Sequence, residues 1–366
     1  MTKLLVTGGA GFIGSNFLHY WTKKYPSDQI IVLDSLTYSG VISNILPQIE
    51  KKLIHFVNGD ICDKNFVKDL FKQYCFDKII HFAAESHVDR SIHSPSKFIE
   101  TNILGTYSLL SASLEMWENN FKGKVFHHIS TDEVYGELND NDPPFTEISA
   151  YAPNSLYAAS KSSSDMLVRA YNKTYGLPTV ISNWSNNYGP YQFPEKLIPL
   201  MIINILEGNV LPIYGNGSNI RDWLYVNDHC TAIDLILNSG KIGETYNVGG
   251  MSEITNLELV IDLCSKIDFK IDKNDELSKR FPNNLRVKGK SSETLIRYVT
   301  DRPGHDYRYA INPKKICTEM NFKPAINFEK GINFTIDWYL KNEKWWRAIM
   351  NGKHSDWIKK QYNENR

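Results

Sequence analysis

Ser130-Thr131-Asp132-Glu133-Val134-Tyr135-Gly136 and, a short way on, Tyr157-Ala-Ala-Ser-Lys161 bring a hydroxyl, two carboxyl groups, a phenol and an ammonium together on two nearby stretches of chain. Tyr157 and Lys161 are four apart, so on a helix they share a face one turn apart. A free phenol titrates near ~10, too high for a base at neutral pH. A neighbouring ammonium and a cationic hydride acceptor would both stabilise the phenolate. Tyr157 is then the expected base that takes a hydroxyl proton while hydride leaves the same carbon, with Thr131 orienting that hydroxyl. The adjacent Asp132 and Glu133 exceed what a hydride transfer needs. Oxidation leaves a ketone that acidifies the next C–H. Glu133 is expected to remove that proton while a protonated Asp132 donates to a departing hydroxyl, a division that requires their pKa values to be split by burial and like charge. These residue types read as machinery for oxidation followed by loss of water.

The hydride acceptor is legible nearer the N-terminus. Gly9-Ala10-Gly11-Phe12-Ile13-Gly14 follows an apolar run, residues 3–7, and opens a helix-period segment. That setting gives a Gly-x-Gly-x-x-Gly match its meaning. Gly9 is expected to make the tight turn, Gly11 to let backbone approach a pyrophosphate, and Gly14 to allow close helix–strand packing, with the helix N-terminus facing the phosphates. Asp34 ends the next apolar run. A carboxylate there accepts both ribose hydroxyls and repels a 2′-phosphate, so NAD is the expected cofactor. The cofactor set comprises Gly8, Gly11, Phe12, Ile13, Gly14, Asp34, Ser35, Leu36 and Thr37, then Asp60 and Ile61 beside the adenine. Ala83, Ala84 and Ser86 lie towards the nicotinamide, whose ribose Lys161 would hold.

These groups need a scaffold, and its outline is in the chain. Candidate strands at 3–7, 29–34, 53–58, 78–83, 124–130 and 179–184 alternate with helix-period segments at 13–24, 64–73, 96–118 and 155–175. That alternation is the pattern of βαβ units around a parallel sheet. A further strand, 244–248, is expected to return to the same sheet. The fold class is α/β: a Rossmann-type, doubly wound parallel sheet with a smaller, interleaved C-terminal lobe that binds substrate. The expected division is 1–187 with about 222–250 for the dinucleotide domain, and 188–221 with 251–366 for the lobe. Residues 270–290 are charged and weakly patterned, and read as a surface excursion. Trp338, Trp345, Trp346 and Trp357 suit a C-terminal helix packed on its own lobe.

Composition narrows the partners. Lys plus Arg equals Asp plus Glu at 41 each, so no nucleic-acid or membrane-surface role is indicated. The five cysteines are scattered without zinc-ligand spacing or a disulfide framework. With no signal-peptide pattern and no apolar run near ~18 residues, the expectation is a cytoplasmic protein. His87, His93, His127 and His128 invite a metal reading, but consecutive strand residues face opposite ways and no ligand cluster exists, so no metal is expected.

The chain closely resembles the extended short-chain dehydrogenase/reductases and, within them, the dTDP-glucose 4,6-dehydratase family. The resemblance runs nearly end to end. It includes Thr7-Gly-Gly-Ala-Gly-Phe-Ile-Gly14, His81-Phe-Ala-Ala-Glu-Ser-His-Val-Asp-Arg-Ser91, the Ser130 and Tyr157 segments, and Asn186-Asn-Tyr-Gly-Pro-Tyr-Gln-Phe-Pro-Glu-Lys-Leu-Ile-Pro199. It continues through Arg221-Asp-Trp-Leu-Tyr225 and Asp301-Arg-Pro-Gly-His-Asp-Tyr-Arg308. It implies a hydro-lyase that makes a 4-keto-6-deoxy sugar from a nucleotide-activated glucose, most simply dTDP-glucose. The alternatives are a UDP-glucose 4,6-dehydratase and a nucleotide-sugar 4-epimerase. It further implies Thr131, Asp132, Glu133, Tyr157 and Lys161 as catalytic, and Thr101 and Asn187 at the cofactor. Substrate would be held by Ser86, Thr131, Asn186, Lys196, Leu197, Ile198, Pro199, Leu200, Pro212, Ile213, Tyr214, Arg221, Asn256, Asp301, Arg302, Pro303, Gly304 and His305. Arg221 and Arg302 could grip a diphosphate with charge-assisted forks. A homodimer through helices 96–118 and 155–175 is implied too. The chain departs from the family pattern at Asn183, Trp184 and Asn227.

Overall fold

The protein is described by a computed structural model over residues 1–118 and 120–351. Its main sheet contains β1 (Lys3–Thr7), β2 (Gln29–Asp34), β3 (His55–Asn58), β4 (Lys78–His81), β5 (Val125–Ile129), β6 (Thr179–Trp184) and β10 (Thr245–Val248). The strand order is β10-β6-β5-β4-β1-β2-β3, and each pairing is parallel. Strand residues alternate between faces, so β1 sends Leu4 and Val6 to one side and Leu5 to the other. Leu4 and Val6 pack with Phe17, Trp21, Ile233 and Ile236 from helices Phe12–Lys24 and Val226–Ser239. Leu5 packs with Val67, Phe71, Leu109 and Val168 from helices Lys64–Tyr74, Thr106–Trp117 and Leu156–Tyr175. Helices on both faces explain why these strands are apolar throughout. The chain winds outward from β1 to β3, then crosses back to β4 on the other side of β1. A crevice opens at such a switch point, outside the carboxyl ends of the strands.

The second lobe is built on β7 (Asn186–Tyr188), β9 (Ile220–Tyr225) and β11 (Glu253–Thr255), ordered β11-β9-β7, and on the parallel pair β8 (Leu211–Tyr214) and β12 (Ile296–Val299). Helices Leu197–Glu207, Asn256–Asp272 and Phe328–Lys341 enclose its core with Ile202, Leu263, Ile267 and Ile336. Residues 222–225 therefore belong to the small sheet, while the helix that follows them covers the main one. Helix Lys314–Met320 also lies against the main sheet, with Ile316 and Met320 in that core.

Two further segments differ from their expected form. Residues 96–118 are broken into Pro95–Phe98, a π-helical stretch Ile99–Gly105, and Thr106–Trp117. The wide turns let Asn102 clamp a neighbouring loop: its amide donates to the Glu85 carbonyl at 3.0 Å and accepts from the Glu85 N–H at 2.9 Å. Such π stretches recur at functional sites. Residues 270–290 run largely over the surface, as expected, but are pinned at four buried positions, Ile271, Leu277, Phe281 and Asn284. Phe281 is in the lobe core, and Asn284 donates to the Ile205 carbonyl at 2.8 Å. Trp346 is buried, and Trp345 donates to Asn44 of the main-sheet lobe at 2.8 Å; Trp357 lies outside the described residues. Among the described residues no helix is long and apolar enough to cross a membrane.

Candidate active site

A continuous cavity of about 310 Å³ follows the carboxyl ends of the main-sheet strands. Gly8, Gly11, Phe12, Ile13, Gly14, Asp34, Ser35, Thr37, Asp60, Ile61, Ala83, Ala84, Ser86, Thr101 and Asn187 all line it. The tight turn falls at Gly8, not at Gly9. Gly8 has φ +70°, and a Cβ there would lie 2.6 Å from the Ala83 nitrogen, whereas Gly9 is confined by the Val32 side chain. A Cβ on Gly14 would meet the Gly8 carbonyl at 2.3 Å, so helix and turn are in contact. On Gly11 it would meet that carbonyl alone, at 3.3 Å, leaving the backbone open to a close ligand. Asp34 accepts the Ala10 and Leu36 N–H groups at 2.9 and 2.8 Å, one on each oxygen, which aims the carboxylate and leaves lone pairs for hydroxyls. Leu36 serves through this backbone bond rather than as a wall. The residues fit a dinucleotide with an unphosphorylated 2′-hydroxyl.

Thr131, Asp132, Glu133, Tyr157 and Lys161 line the same cavity. Thr131 caps the short 3₁₀ turn Asp132–Tyr135, accepting the Glu133 N–H at 3.3 Å and donating to Asp132 at 3.3 Å. Gly136 ends that turn at φ +90°, where a Cβ would sit 2.4 Å from the Ala152 carbonyl oxygen. Gly136→Ala should therefore cost about 2 kcal/mol or more of folding free energy. Denaturant melts check this, and a loss under about 0.5 kcal/mol would refute the constraint.

Asp132 is 2% exposed. Burial first, then the carboxylates of Glu133 and Asp222, push its pKa well above the carboxylic range. Burial raises Glu133 too, but Arg302, Arg221 and Lys196 oppose the rise. The two carboxyls therefore differ in surroundings: like charge adds to the rise at Asp132, whereas three cations oppose it at Glu133. Asp132 Oδ2 and Glu133 Oε2 are buried without a hydrogen-bond partner, which marks places where a ligand's polar groups would be satisfied. Tyr157 departs from expectation. Burial, Glu133 and Asp132 raise its pKa against the hydrogen bond from Thr131, and no lowering by Lys161 is evident. Lys161 instead donates to the Ile129 carbonyl at 2.7 Å.

The residues expected to hold substrate divide into groups. Asn186 and Lys196 line the cavity, and Lys196 donates to the Ser86 carbonyl at 2.8 Å. Ile198 and Ile213 are in the lobe core, and Pro199 and Leu200 are buried, so any contact from these would come through backbone. Leu197 packs against the same core, and Pro212 pairs through β8 with Arg297. Tyr214 donates to Asp89 at 3.1 Å, and Arg302 meets the same carboxylate at 3.4 Å. Arg221 stacks on Tyr309 and spends guanidinium N–H groups on the Ile220, Tyr307 and Asp306 carbonyls. His305 bonds Asp301 at 2.6 Å, and burial lowers its pKa to about 4. Gly304 has φ +64° beside Asn154, with Pro303 preceding it. Asn256 presents an unpartnered buried Oδ1.

Sequence reasoning missed several wall residues. Trp184 stacks on His229 at 3.4 Å between ring centroids, and Tyr38, Gln192 and Glu195 also face the space. Trp184 ends a strand at the edge of the crevice, a signal that could have placed it. Asn183 points away and donates to the Tyr151 hydroxyl at 3.2 Å. Among the described residues no cluster of potential metal ligands occurs.

Fold and site together define a dinucleotide-dependent scaffold of the dehydrogenase/reductase kind with an added pair of carboxyl groups in its cavity. The family model described as GDP-mannose 4,6 dehydratase matches residues 5–335. The chain is 48% identical over 375 residues to a dTDP-glucose 4,6-dehydratase of Salmonella typhimurium, covering 98% of this chain and 99% of that one. Among solved structures, a dTDP-glucose 4,6-dehydratase of Streptomyces venezuelae with NAD and TDP bound superposes with TM-score 0.84 at 43% identity, covering 95% of this chain and 99% of the other. A UDP-glucose 4-epimerase of Thermotoga maritima gives TM-score 0.77 at 25% identity, covering 93% and 99%. The chain belongs to the GDP-mannose 4,6 dehydratase family, in its dTDP-glucose 4,6-dehydratase branch.

Proposed function

We propose that this chain is an NAD-dependent hydro-lyase that converts dTDP-glucose to its 4-keto-6-deoxy derivative. The observation that carries the reading is the split carboxyl pair, Asp132 and Glu133, in the cavity that also holds Tyr157 and Lys161. A 4-epimerase has no use for that pair.

Gly8, Gly11, Gly14 and Asp34 would hold NAD, which supplies the acceptor and later the donor of one hydride. Tyr157 takes the proton of the sugar C4 hydroxyl as C4 is oxidised, and Thr131 orients that hydroxyl. Glu133 removes the C5 proton made acidic by the C4 ketone. Asp132 gives its proton to the C6 hydroxyl, which leaves as water. Glu133 returns a proton to C5 as the hydride taken from C4 would go back to C6, and release of the Tyr157 proton with uptake of one by Asp132 restores both groups, so the balance is one sugar nucleotide to one keto sugar nucleotide and one water. Lys196, Asn186, Arg221 and Arg302 are the proposed hold on the sugar nucleotide, and Lys161 on the nicotinamide ribose. The exposed apolar residues Ile99, Leu104, Tyr107, Leu156 and Met166 lie on the two helical segments proposed to pair in a homodimer. We place the protein in the cytoplasm.

Incubation of the purified protein separately with dTDP-glucose and UDP-glucose, followed by mass spectrometry, tests this directly. The expected result is loss of one water from the dTDP sugar with no build-up of reduced dinucleotide. An unchanged mass with a new C4 configuration would replace the proposal with epimerisation.

A further inference from the structure

Behind Lys161, on the side away from the cavity, lies a closed group of polar side chains that the proposed reaction does not use. Asp165, one turn further along the same helix, is 1% exposed. One of its oxygens accepts from Ser130 at 2.8 Å and from Tyr151 at 3.0 Å. The other lies 3.1 Å from His128 Nε2, and that same nitrogen lies 3.4 Å from Lys161 Nζ. His128 Nε2 thus sits between ammonium and carboxylate and can bond only one of them at a time, so Lys161 and Asp165 act on each other as charges across the ring; the three groups come from β5 and one face of the helix. A carboxylate so deep in a protein is costly unless a positive charge and donors accompany it.

We propose that Asp165 is a positioning residue: the buried counter-ion that, across the His128 ring, keeps Lys161 charged and aimed at the nicotinamide ribose. This rests on the assignment of Lys161 to the cofactor made above. Burial lowers the Lys161 pKa to about 8, and Asp165 is the group that opposes the fall. Burial raises Asp165 to about 7, with Lys161, Ser130 and Tyr151 working the other way. Other titratable groups face this cluster. His81, on β4, lies tilted against His128 at 5.2 Å between ring centroids, and burial pushes both rings towards the neutral form. Tyr135 and Tyr151 stay protonated beside Asp165, raised by burial. Tyr157 is on the cavity side with Asp132 and Glu133. Lys161 is therefore the group of this set whose charge is lost as pH rises through about 8.

The sign follows. In Asp165→Asn the amide can still accept from Ser130 and Tyr151, but the negative charge is gone, so Lys161 deprotonates at lower pH. The test is NAD affinity of the full-length protein by calorimetry across pH 6–10, with the alkaline limb of the dehydration rate recorded alongside. The limb of NAD binding should move down by about 1–3 pH units in Asp165→Asn, and less in Tyr151→Phe, which keeps the carboxylate. A purely structural role would lower thermal stability without moving the limb. Should Asp165→Asn not fold, the Ser130→Ala/Tyr151→Phe double variant strips the carboxylate of its hydroxyl donors and must move the limb in the same direction. A limb that coincides with wild type in the folded variant overturns the inference. Failure of wild type to dehydrate any sugar nucleotide would instead sink the activity proposal, and the NAD-binding limb would still report on Asp165.

Discussion

Glu133→Gln should stop the loss of water while leaving C4 oxidation intact. The substitution keeps the size of the side chain and removes its capacity to take a proton. Glu133 is buried beside Asp132, and burial raises its pKa, but Arg302, Arg221 and Lys196 favour its charged form. That cationic support suits Glu133 to the proposed role of base, whereas burial and like charge push Asp132 well above the carboxylic range and suit it to the proposed role of acid. Removing a positioned general base costs about 10²–10⁴ in rate. Keto-sugar formation should fall by that factor. Reduced dinucleotide should now accumulate, because nothing downstream consumes the hydride. In D₂O the wild-type product should carry deuterium at C5, delivered by Glu133, and the variant should not. Deuterium entering C5 at near wild-type rate would show that another group is the base. The wild-type rate should also decline on the acid side as Glu133 is protonated, and the raised pKa places that limb above the usual glutamate range.

The main sheet was legible because its strands are apolar on both faces and bounded by turn residues. β1, β2 and β6 fall where alternation of short runs and helix-period segments puts them. The cavity was legible for a related reason: in an open α/β sheet the carboxyl ends of the strands meet at the switch point, so residues that follow a strand converge whatever their separation in sequence. What escaped was set by tertiary contact. The π-helical stretch at Ile99–Gly105 goes together with the Asn102 bonds to Glu85, a tertiary contact that periodicity cannot register. Helix Lys314–Met320 is amphipathic in either lobe, and only the fold decides that Ile316 meets the main sheet. Phe281 and Asn284 lie in a charged stretch, and their burial depends on partners far along the chain. Asp165 was missed because it looks like one more polar residue on a serine-rich helix; its meaning comes from β5, which supplies His128 and Ser130.

The division of labour between the lobes follows from the same geometry. The main-sheet lobe is the proposed seat of the chemistry, since all five proposed catalytic groups stand on the turn that follows β5 and on one helix. The other lobe brings charge: buried Arg221 and half-buried Arg302 lie near Glu133 and favour its ionised form. Arg302 meets Asp89 and Lys196 meets Ser86, so contacts that join the lobes also place those charges.

Tyr157→Phe should abolish the first step, and with it everything after. Burial and the nearby carboxylates raise the Tyr157 pKa, so the phenol is protonated in the chain alone. Its use as a base therefore depends on the positive charge that NAD brings to the cavity, with Lys161 behind it. Phenylalanine fills the same space and keeps the contact with Phe98, so fold and NAD affinity should change by no more than a few-fold. Turnover should fall towards the upper end of the ~10²–10⁴ range for a general base. The distinguishing sign is what fails to appear: no reduced dinucleotide on mixing with dTDP-glucose and no deuterium at C5, because without the ketone the C5 proton is not acidic. Glu133→Gln accumulates reduced dinucleotide; Tyr157→Phe does not. Single-turnover absorbance of the dinucleotide separates the two variants in one experiment. If Tyr157→Phe reduces the dinucleotide within tenfold of the wild-type rate, the proton on the C4 hydroxyl leaves by another route, and Tyr157 merely lines the wall.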